Sequence, residues 1–308
     1  MKLNNLEEFR EALQQVATNN GCSSDKEYLS SGNIEDYFAQ KNLLTYQKFH
    51  IESSQSDNKN KVHLAYMFSF FEAIAGEHSE SVGIHYADMR DKNQTWILNR
   101  IALDIKDLPN KYDDIAVYTW QSKQSAVGFY REFLVINENN EAIIAARSFW
   151  SIMDLNSRTI IPSNEIIANK ENPFILPIKT TKAKLKSIKI TLPETDNKIS
   201  YKHLIGYSDL DANNHVNNTR YINMVTNAVD FLNIGLDIES IEVNYTSELV
   251  KGDLVAVEAG ILEETDEHYS LAVYIKFLDN LIGTSTRGIE YKKQKTHDSF
   301  KALIKIRK

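Results

Sequence analysis

The sequence predicts an α+β protein built from two similar halves, each an amphipathic helix followed by several strands. In one stretch of each half, apolar residues recur every three or four positions, which is typical of a helix with one buried face. Alternating apolar and polar residues follow each of these stretches, as in half-buried strands. At 308 residues the chain is long enough to form two hydrophobic cores.

The first half begins with a short helix pattern and continues with a longer one. In residues 1–44 we expect one short amphipathic helix with a packing or capping role, marked by Leu6, Phe9, Leu13 and Val16. One face of the longer helix carries Leu64, Met67, Phe71, Ile74 and His78. Strand patterns follow at residues 101–105, 115–121, 129–136 and 142–153, with a hairpin turn at 137–140. We place the first domain at residues 45–162.

The second half repeats this order. Its helix is predicted over residues 219–233, and its buried face carries Tyr221, Val225, Ala228 and Leu232. Strand patterns follow at residues 241–245, 253–262, 269–277 and 281–291. Between the halves, residues 163–198 are predicted to be a connector, because three prolines interrupt any long element there: Pro173, Pro177 and Pro193. This leaves a second domain at residues 199–292 and a basic C-terminal tail at residues 293–308.

The composition is that of an ordinary globular protein, with 42% hydrophobic and 25% charged residues. No apolar run is long enough to span a bilayer, and the acidic N-terminus lacks the features of a signal or transit peptide, so we expect a cytoplasmic protein. Cys22 is the only cysteine, and we interpret it as an incidental thiol. We expect no metal, because the histidines lack metal-ligand spacing. The net charge of −7 argues against nucleic-acid binding.

The most informative segment directly precedes the second helix. Asp211, Asn213 and His215 stand at alternate positions, so an extended backbone would point all three side chains to one side. Asn217 and Asn218 follow, and asparagine favours the N-cap of a helix. A carboxylate, an amide and an imidazole would then meet the unpaired N–H groups and the positive dipole end of that helix. Such a place suits a reaction in which negative charge develops on an oxygen.

This segment resembles the second-domain motif of the acyl-acyl carrier protein (acyl-ACP) thioesterases, which release free fatty acids from fatty-acid synthesis. Residues 73–83, 95–105 and 129–135 are similar to segments of the family's first domain. Together the similar segments run from about residue 45 to residue 292 in the family's order. The resemblance implies a bacterial-type member with two tandem hot-dog domains, in each of which an antiparallel sheet wraps a long helix.

The resemblance also implies a catalytic set of Asp211, Asn213, His215 and Glu248, the last on the strand that follows the second helix. Plant members usually carry a cysteine directly after this glutamate. Leu249 stands there in this chain, so a cysteine nucleophile is excluded. Glu248, alone or through His215, is expected to act as general base on a water. Asn213 is expected to position that water or donate to the carbonyl oxygen, and Asp211 either orients its neighbours or attacks as a nucleophile.

From the sequence alone, the same residues also have purely structural interpretations. Asp211 and Asn213 are typical turn residues, because their side chains bond to nearby backbone groups. Asn217 or Asn218 is a typical helix cap. Capping does not exclude a role in catalysis, since backbone N–H groups near these two asparagines are expected to complete an oxyanion site.

The first domain lacks the Asn-x-His motif, because Lys61-Val-His-Leu stands at the start of its helix. The resemblance implies that this domain holds the acyl chain instead. Candidate walls of the acyl site are Met67, Phe68, Phe70, Phe71, Ile74 and Trp96. A helix covered by a sheet is apolar in any case, so we expect at least half of them to be ordinary core residues.

The expected partner is the acidic acyl carrier protein, whose phosphopantetheine bears the acyl group, and no cofactor is expected. Two basic clusters are candidates for docking it. One is in the connector, at Lys179, Lys182, Lys184, Lys186 and Lys189, and the other is at the C-terminus, at Lys292, Lys293, Lys295, Lys301, Lys305, Arg307 and Lys308. Solvated surface charge is the alternative interpretation of both.

Several functional questions stay open at this point. An acyl-coenzyme A thioesterase, a hot-dog dehydratase and an acyl-binding module without turnover are the rival functions. The chain-length preference, and the choice between a monomer and a homodimer, do not follow from these residues.

Overall fold

The computed structural model describes residues 3–19, 34–167, 173–181, 185–189, 191–192, 198–281 and 298–308. The chain divides into two compact units, Met1–Leu185 and Lys186–Lys308. Each unit contains one antiparallel sheet and one principal helix, which confirms the predicted repeat of an α+β pattern. No helix in the described residues is long and apolar enough to cross a membrane.

The sheet of the first unit has five main strands in the order β1-β3-β4-β5-β2. Their bounds are β1 Thr45–His50, β2 Gln94–Ile105, β3 Asp114–Ser125, β4 Gly128–Asn137 and β5 Ala142–Asp154; a short strand β6, Thr159–Ile161, pairs with β5. All these pairs are antiparallel. The strands predicted in this half are therefore confirmed.

The helices of the first unit are α1 Leu6–Asn19, α2 Ile34–Gln40, α3 Leu64–Ser81, α4 Tyr86–Asp91 and α5 Ser163–Ile166. The principal helix, α3, packs on the inner face of the sheet. Its predicted apolar face is buried, and the ring of Phe71 stacks on Phe133 of β4 at 4.6 Å between centroids. His78 lies on the same face and is fully buried.

The N-terminal helices cover the outer face of the same sheet. Phe9 of α1 stacks on Trp120 of β3 at 5.1 Å, within a cluster that includes Leu13, Phe38 and Leu134. Arg10 of α1 forms an ion pair of 2.7 Å with Glu35 of α2, which ties the two helices together. The expected packing role of the N-terminal extension is confirmed.

The second unit is smaller and contains the helix α6, Asn218–Asp230. Its strands are β7 Lys198–Leu204, β8 Ile238–Tyr245, β9 Asp253–Glu264, β10 His268–Asn280 and β11 Asp298–Arg307, in the order β8-β11-β10-β9-β7. Tyr221 of α6 stacks on Phe300 of β11 at 5.3 Å, and the hydroxyl of Tyr201 in β7 donates to the carbonyl of Met224. Leu232, predicted on the helix face, lies beyond the last helical residue.

The prediction of a basic C-terminal tail is wrong, because β11 is an interior strand of the second sheet, between β8 and β10. Its apolar residues alternate with its lysines, so one face is buried while Lys301 and Lys305 lie on the other. The second domain therefore extends to Arg307. The strand predicted at residues 281–291 lies, except for Leu281, outside the described residues. Cys22 and the basic residues Lys182, Lys184, Lys292, Lys293 and Lys295 also lie outside them.

Candidate active site

The segment before α6 forms a tight turn closed by the carboxylate of Asp211. Oδ1 of Asp211 accepts hydrogen bonds from the backbone N–H groups of Asn213, at 2.8 Å, and His215, at 3.1 Å. The N–H of Asp211 in turn donates to the carbonyl of His215, at 2.8 Å, and Asn214 has a positive φ of 59°. The prediction of an extended segment with three side chains on one side is therefore wrong. The physical reason is the ability of aspartate to bond its own backbone two and four residues on.

The turn carries His215 to the loop that follows β8. His215 forms an antiparallel bridge with Val250, and the N–H of Val216 donates to the carbonyl of Leu249 at 2.9 Å. In this position His215 Nε2 lies 3.6 Å from Glu248 Oε2. The two side chains are 23% and 27% exposed, so both still reach solvent. The separation is slightly longer than a hydrogen bond.

Glu248 lies on a loop three residues beyond the end of β8, and the prediction that it lies on the strand is wrong. The loop is held by its own hydrogen bonds: the carboxylate of Asp253 accepts from the N–H of Val250 at 2.9 Å, and the N–H of Thr246 donates to Ser299 at 3.0 Å. Leu249, at the position of the plant cysteine, is only 1% exposed. Its side chain is part of the core, so this position offers no nucleophile.

The start of α6 is capped as predicted. Asn217 is the N-cap residue, and its Oδ1 accepts from the N–H of Thr219 at 2.8 Å and from the Thr219 hydroxyl at 2.6 Å. Asn218 is the first residue of the helix, and its carbonyl accepts from the hydroxyl of Tyr245 at 3.2 Å. The Asn217 side chain is thus used for capping, and any contribution to an oxyanion site falls to the backbone N–H groups and the dipole of the helix.

The structure brings the predicted site residues together in different ways. The side chains of His215 and Glu248 face each other, whereas Asp211 joins the site through backbone hydrogen bonds. Asn213 is exposed at the tip of the turn, and its backbone N–H is one of the donors to Asp211.

The candidate acyl-site residues of the first unit are mostly core residues. The buried members are Met67, Phe68, Phe70, Phe71 and Ile74. Phe70 stacks on Phe49 of β1, at 4.4 Å. Trp96 is half-buried, packs edge-on against Phe129 and donates its indole N–H to Ser79 at 3.2 Å. Their role in binding an acyl chain stays a prediction.

A buried polar group inside the first unit was missed by the sequence analysis. Arg131 of β4 is almost fully buried and donates to the hydroxyl of Thr119 at 3.2 Å. Burial lowers the pKa of Arg131 to about 9. Burial, and then the charge of Arg131, lower the pKa of His78 to about 2, although the nearby backbone of Asn42 and Leu43 acts in the opposite direction. Neither ring nitrogen of His78 has a hydrogen-bond partner among the described residues. In the sequence, this buried polar group was indicated by His78, a histidine on an otherwise apolar helix face.

The same turn occurs at the start of the principal helix in the first unit. Asp57 Oδ1 accepts from the N–H groups of Lys59, at 2.8 Å, and Lys61, at 2.9 Å. Lys61 occupies the position that His215 has in the second unit, and its ammonium group bonds to Asp107 Oδ1 at 2.7 Å and to the carbonyl of Leu108 at 2.9 Å. The first unit therefore has the backbone of the site without the imidazole.

Solved structures share this architecture along most of the chain. An acyl-ACP thioesterase from Bacteroides thetaiotaomicron matches with a TM-score of 0.66 and 21% identity, over 87% of this chain and 99% of that one. A 12:0-ACP thioesterase from Umbellularia californica matches with a TM-score of 0.69 and 17% identity, over 86% of this chain and 98% of that one. At these identities the likeness shows the fold alone, which is the predicted pair of tandem hot-dog domains.

Sequence profiles identify the family. The profile of the acyl-ACP thioesterase N-terminal domain matches residues 42–169, and that of the C-terminal domain matches residues 193–300. The protein belongs to the acyl-ACP thioesterase family. A chloroplastic palmitoyl-acyl carrier protein thioesterase from Gossypium hirsutum is 26% identical over 194 residues, which are 60% of this chain and 47% of the relative. The chain thus spans about half the length of the curated relatives that it matches.

Proposed function

We propose that this protein hydrolyses the thioester of acyl-acyl carrier protein and releases a free fatty acid, without a cysteine nucleophile. The observation that carries the proposal is the approach of His215 Nε2 to 3.6 Å from Glu248 Oε2, beside the first turn of α6, in a chain of this family. An imidazole oriented by a carboxylate is suited to remove a proton from water. The rival functions are hydrolysis of acyl-coenzyme A and acyl binding without turnover.

In the proposed reaction, His215 accepts a proton from a water molecule while the water oxygen attacks the thioester carbonyl carbon. Glu248 orients the ring and stabilises the imidazolium that forms. The carbonyl oxygen becomes negatively charged and is stabilised by the Asn213 amide and by N–H groups near Asn217 and Asn218, at the positive end of the helix. The tetrahedral intermediate then collapses, the C–S bond breaks, and the proton passes from the imidazolium to the leaving thiolate.

The acyl chain is assigned to the interior of the first unit, whose principal helix buries Met67, Phe71 and Ile74. No cofactor is needed for this chemistry, since the acyl group arrives on the phosphopantetheine of its carrier. The expected site of action is the cytoplasm. A monomer and a homodimer are both compatible with one site per chain.

Docking of the acidic carrier is assigned first to the basic connector, where Lys179, Lys186 and Lys189 are described. The C-terminal cluster is a weaker candidate, because several of its charges are matched within the second unit. Lys305 pairs with Glu239 at 3.1 Å, and the other pairs are Lys301 with Asp298, Arg307 with Asp237 and Lys308 with Glu264. Paired charges attract an acidic surface less than free ones do.

The test compares fatty-acid release from a panel of acyl-ACPs and the matching acyl-coenzyme A esters. Wild type, Glu248→Ala and His215→Ala are measured, with Lys61→Ala as the matched control at the corresponding position of the first unit. We expect hydrolysis that prefers the carrier protein, is lost in both site variants and is retained in the control. Equal rates on both carriers support the acyl-coenzyme A alternative. Acyl binding without release by the wild type rejects the enzymatic proposal.

A further inference from the structure

We propose that Asp211 is a positioning residue, whose carboxylate holds the turn that sets His215 against Glu248, and that it does not attack the substrate. This inference rests on the proposed function and narrows it, because a carboxylate at this position is otherwise a candidate nucleophile. The first unit contains a counterpart of this turn that supports the assignment.

The two turns have the same hydrogen bonds. Asp57 accepts from the N–H groups two and four residues on, at 2.8 and 2.9 Å, and Asp211 does the same at 2.8 and 3.1 Å. Each aspartate N–H donates back to the carbonyl four residues on, at 2.8 Å in both. Asn60 and Asn214 occupy the same left-handed conformation, with φ of 60° and 59°. The turn is therefore one backbone structure used twice.

The contacts beyond the turn also correspond. Val62 donates to the carbonyl of Pro109 at 2.9 Å, and Val216 donates to that of Leu249 at 2.9 Å. Lys61 bridges Asn110 as His215 bridges Val250. In each unit the principal helix begins three residues after the bridging residue. The turn thus carries its fifth residue, Lys61 or His215, to the loop that follows β2 or β8 of the same unit.

Asp57 shows what the carboxylate does in a turn that carries no imidazole. The first unit has Lys61 in place of the histidine and Leu108 in place of Glu248, so its turn has no imidazole–carboxylate pair to assist. Asp57 nevertheless makes every hydrogen bond that Asp211 makes. The turn alone accounts for the hydrogen bonds between Asp211 and the backbone. No catalytic role is needed to explain why an aspartate stands at this position.

Nucleophilic attack would also work against the turn. Attack by Asp211 would join a carboxylate oxygen to the acyl carbon, expel the thiolate and leave a neutral mixed anhydride. The two backbone N–H groups would then lose their charged acceptor, and hydrogen bonds to a charged acceptor are about twice as strong as those between neutral groups. The carbonyl oxygen of the anhydride still accepts both N–H groups, as an asparagine oxygen would, so this loss weakens the turn without opening it.

The first test uses Asp211→Asn and Asp211→Ala. Asparagine keeps an oxygen that accepts both N–H groups but has no nucleophilic carboxylate, whereas alanine has neither. We expect the asparagine variant to keep kcat/KM within about threefold of wild type, because its acceptor maintains the turn. The alanine variant should lose about 100-fold, mainly in kcat, since misplacing a reacting group by about 1 Å has an effect of that size. Intact mass confirms that the asparagine has not deamidated.

The matched controls are Asp57→Asn and Asp57→Ala. They change the counterpart turn, which carries no imidazole, so they should lower thermal stability in the same order as the Asp211 variants and leave kcat unchanged. Loss of activity in folded Asp211→Asn, comparable to that of Asp211→Ala, overturns the proposal.

A single turnover in ¹⁸O-water, with enzyme in excess, detects a mixed anhydride that water cleaves at the aspartyl carbon. If activated water attacks, the first fatty acid released contains one ¹⁸O and Asp211 remains unlabelled. If Asp211 attacks and water then cleaves the anhydride at the aspartyl carbon, the ¹⁸O appears in the Asp211 peptide. Label in that peptide overturns the proposal.

A third measurement tests the positioning role without requiring turnover. The ring pKa of His215 is measured by NMR in wild type, Asp211→Asn and Asp211→Ala. We expect the asparagine variant to match wild type and the alanine variant to differ, because the ring moves away from Glu248. Identical values in all three overturn the positioning role, even if the wild type releases no fatty acid and the proposed function itself fails.

Discussion

Replacing His78 by leucine should make the first unit less sensitive to acid. In the folded protein the pKa of His78 falls from the ordinary 6.5 to about 2, mainly through burial and secondly through the charge of Arg131. Below pH 6.5 the unfolded chain therefore takes up a proton that the folded chain does not accept. The folded state is stabilised relative to the unfolded state above that pH, and this stability is lost as the pH falls.

The size of the effect follows from the same two values. Near pH 5 the unfolded histidine is protonated and the folded one is not, so the free energy of unfolding drops by about 2 kcal/mol relative to pH 7. Domains of this size are typically stable by only about 5–15 kcal/mol, so the loss should be easy to measure. Other titrating groups contribute equally to both proteins, and their effects cancel when the variant is compared with wild type.

The assay is urea unfolding followed by tryptophan fluorescence. All three tryptophans, Trp96, Trp120 and Trp150, lie in the first unit, so the signal reports the unit that contains His78. We expect the stability of His78→Leu relative to wild type to improve by about 2 kcal/mol between pH 7 and pH 5. Parallel pH dependences in the two proteins would refute the reasoning, since they would mean that the folded His78 takes up its proton like an exposed histidine.

A second histidine provides a control of opposite sign. His50 is exposed, and its hydrogen bond with Asp114 raises its pKa. Its stabilising contribution is present at low pH and is lost as the pH rises through its folded pKa. Replacing His50 by leucine should therefore change the pH dependence in the direction opposite to His78→Leu.

Three further predictions concern the site and the N-terminal extension. Glu248→Gln should lower kcat/KM by about 10²–10⁴-fold by removing the carboxylate partner of His215, and unchanged rates on acyl-ACP would contradict the proposed mechanism. Leu249→Cys should give no gain in rate and no thiol-dependent inactivation, because the side chain at this position is buried; inhibition by an alkylating reagent would contradict this. Phe9→Ala should destabilise the first unit by about 3–5 kcal/mol in urea unfolding, through loss of its packing on Trp120, with Glu11→Ala on the same helix as the exposed control.

The helices and most of the strands were predictable because their burial follows a regular period. The face of α3 from Leu64 to His78 and the alternation around Ile101 both come from packing one side of an element against a core. The strand β11 was missed for a related reason. Its lysines form the exposed half of an alternating pattern, and counting charges alone concealed Phe300, Ala302 and Ile304 between them.

The candidate site was only partly predictable. The residue types in the turn and their order before the helix pointed to His215, and the family resemblance added Glu248. The geometry of the site could not be predicted from the sequence. A run such as Asp211 to His215 is compatible with either an extended segment or a turn closed by the aspartate. Which of these forms depends on backbone hydrogen bonds to a loop more than thirty residues away in sequence, at Leu249 and Val250.

Under the proposed mechanism, the repeat explains why chemistry is assigned to one unit and not to the other. Both units build the turn, the bridge and the helix start from the same backbone bonds, so the scaffold does not distinguish them. Two side chains distinguish the units. Their positions correspond because Val62 donates to the carbonyl of Pro109 as Val216 donates to that of Leu249. The second unit has His215 and Glu248 there, and the first has Lys61 and Leu108. A single substitution of Lys61 by histidine would supply an imidazole without a carboxylate at position 108 to orient it. An equivalent of the His215–Glu248 arrangement at this place in the first unit therefore requires both changes together.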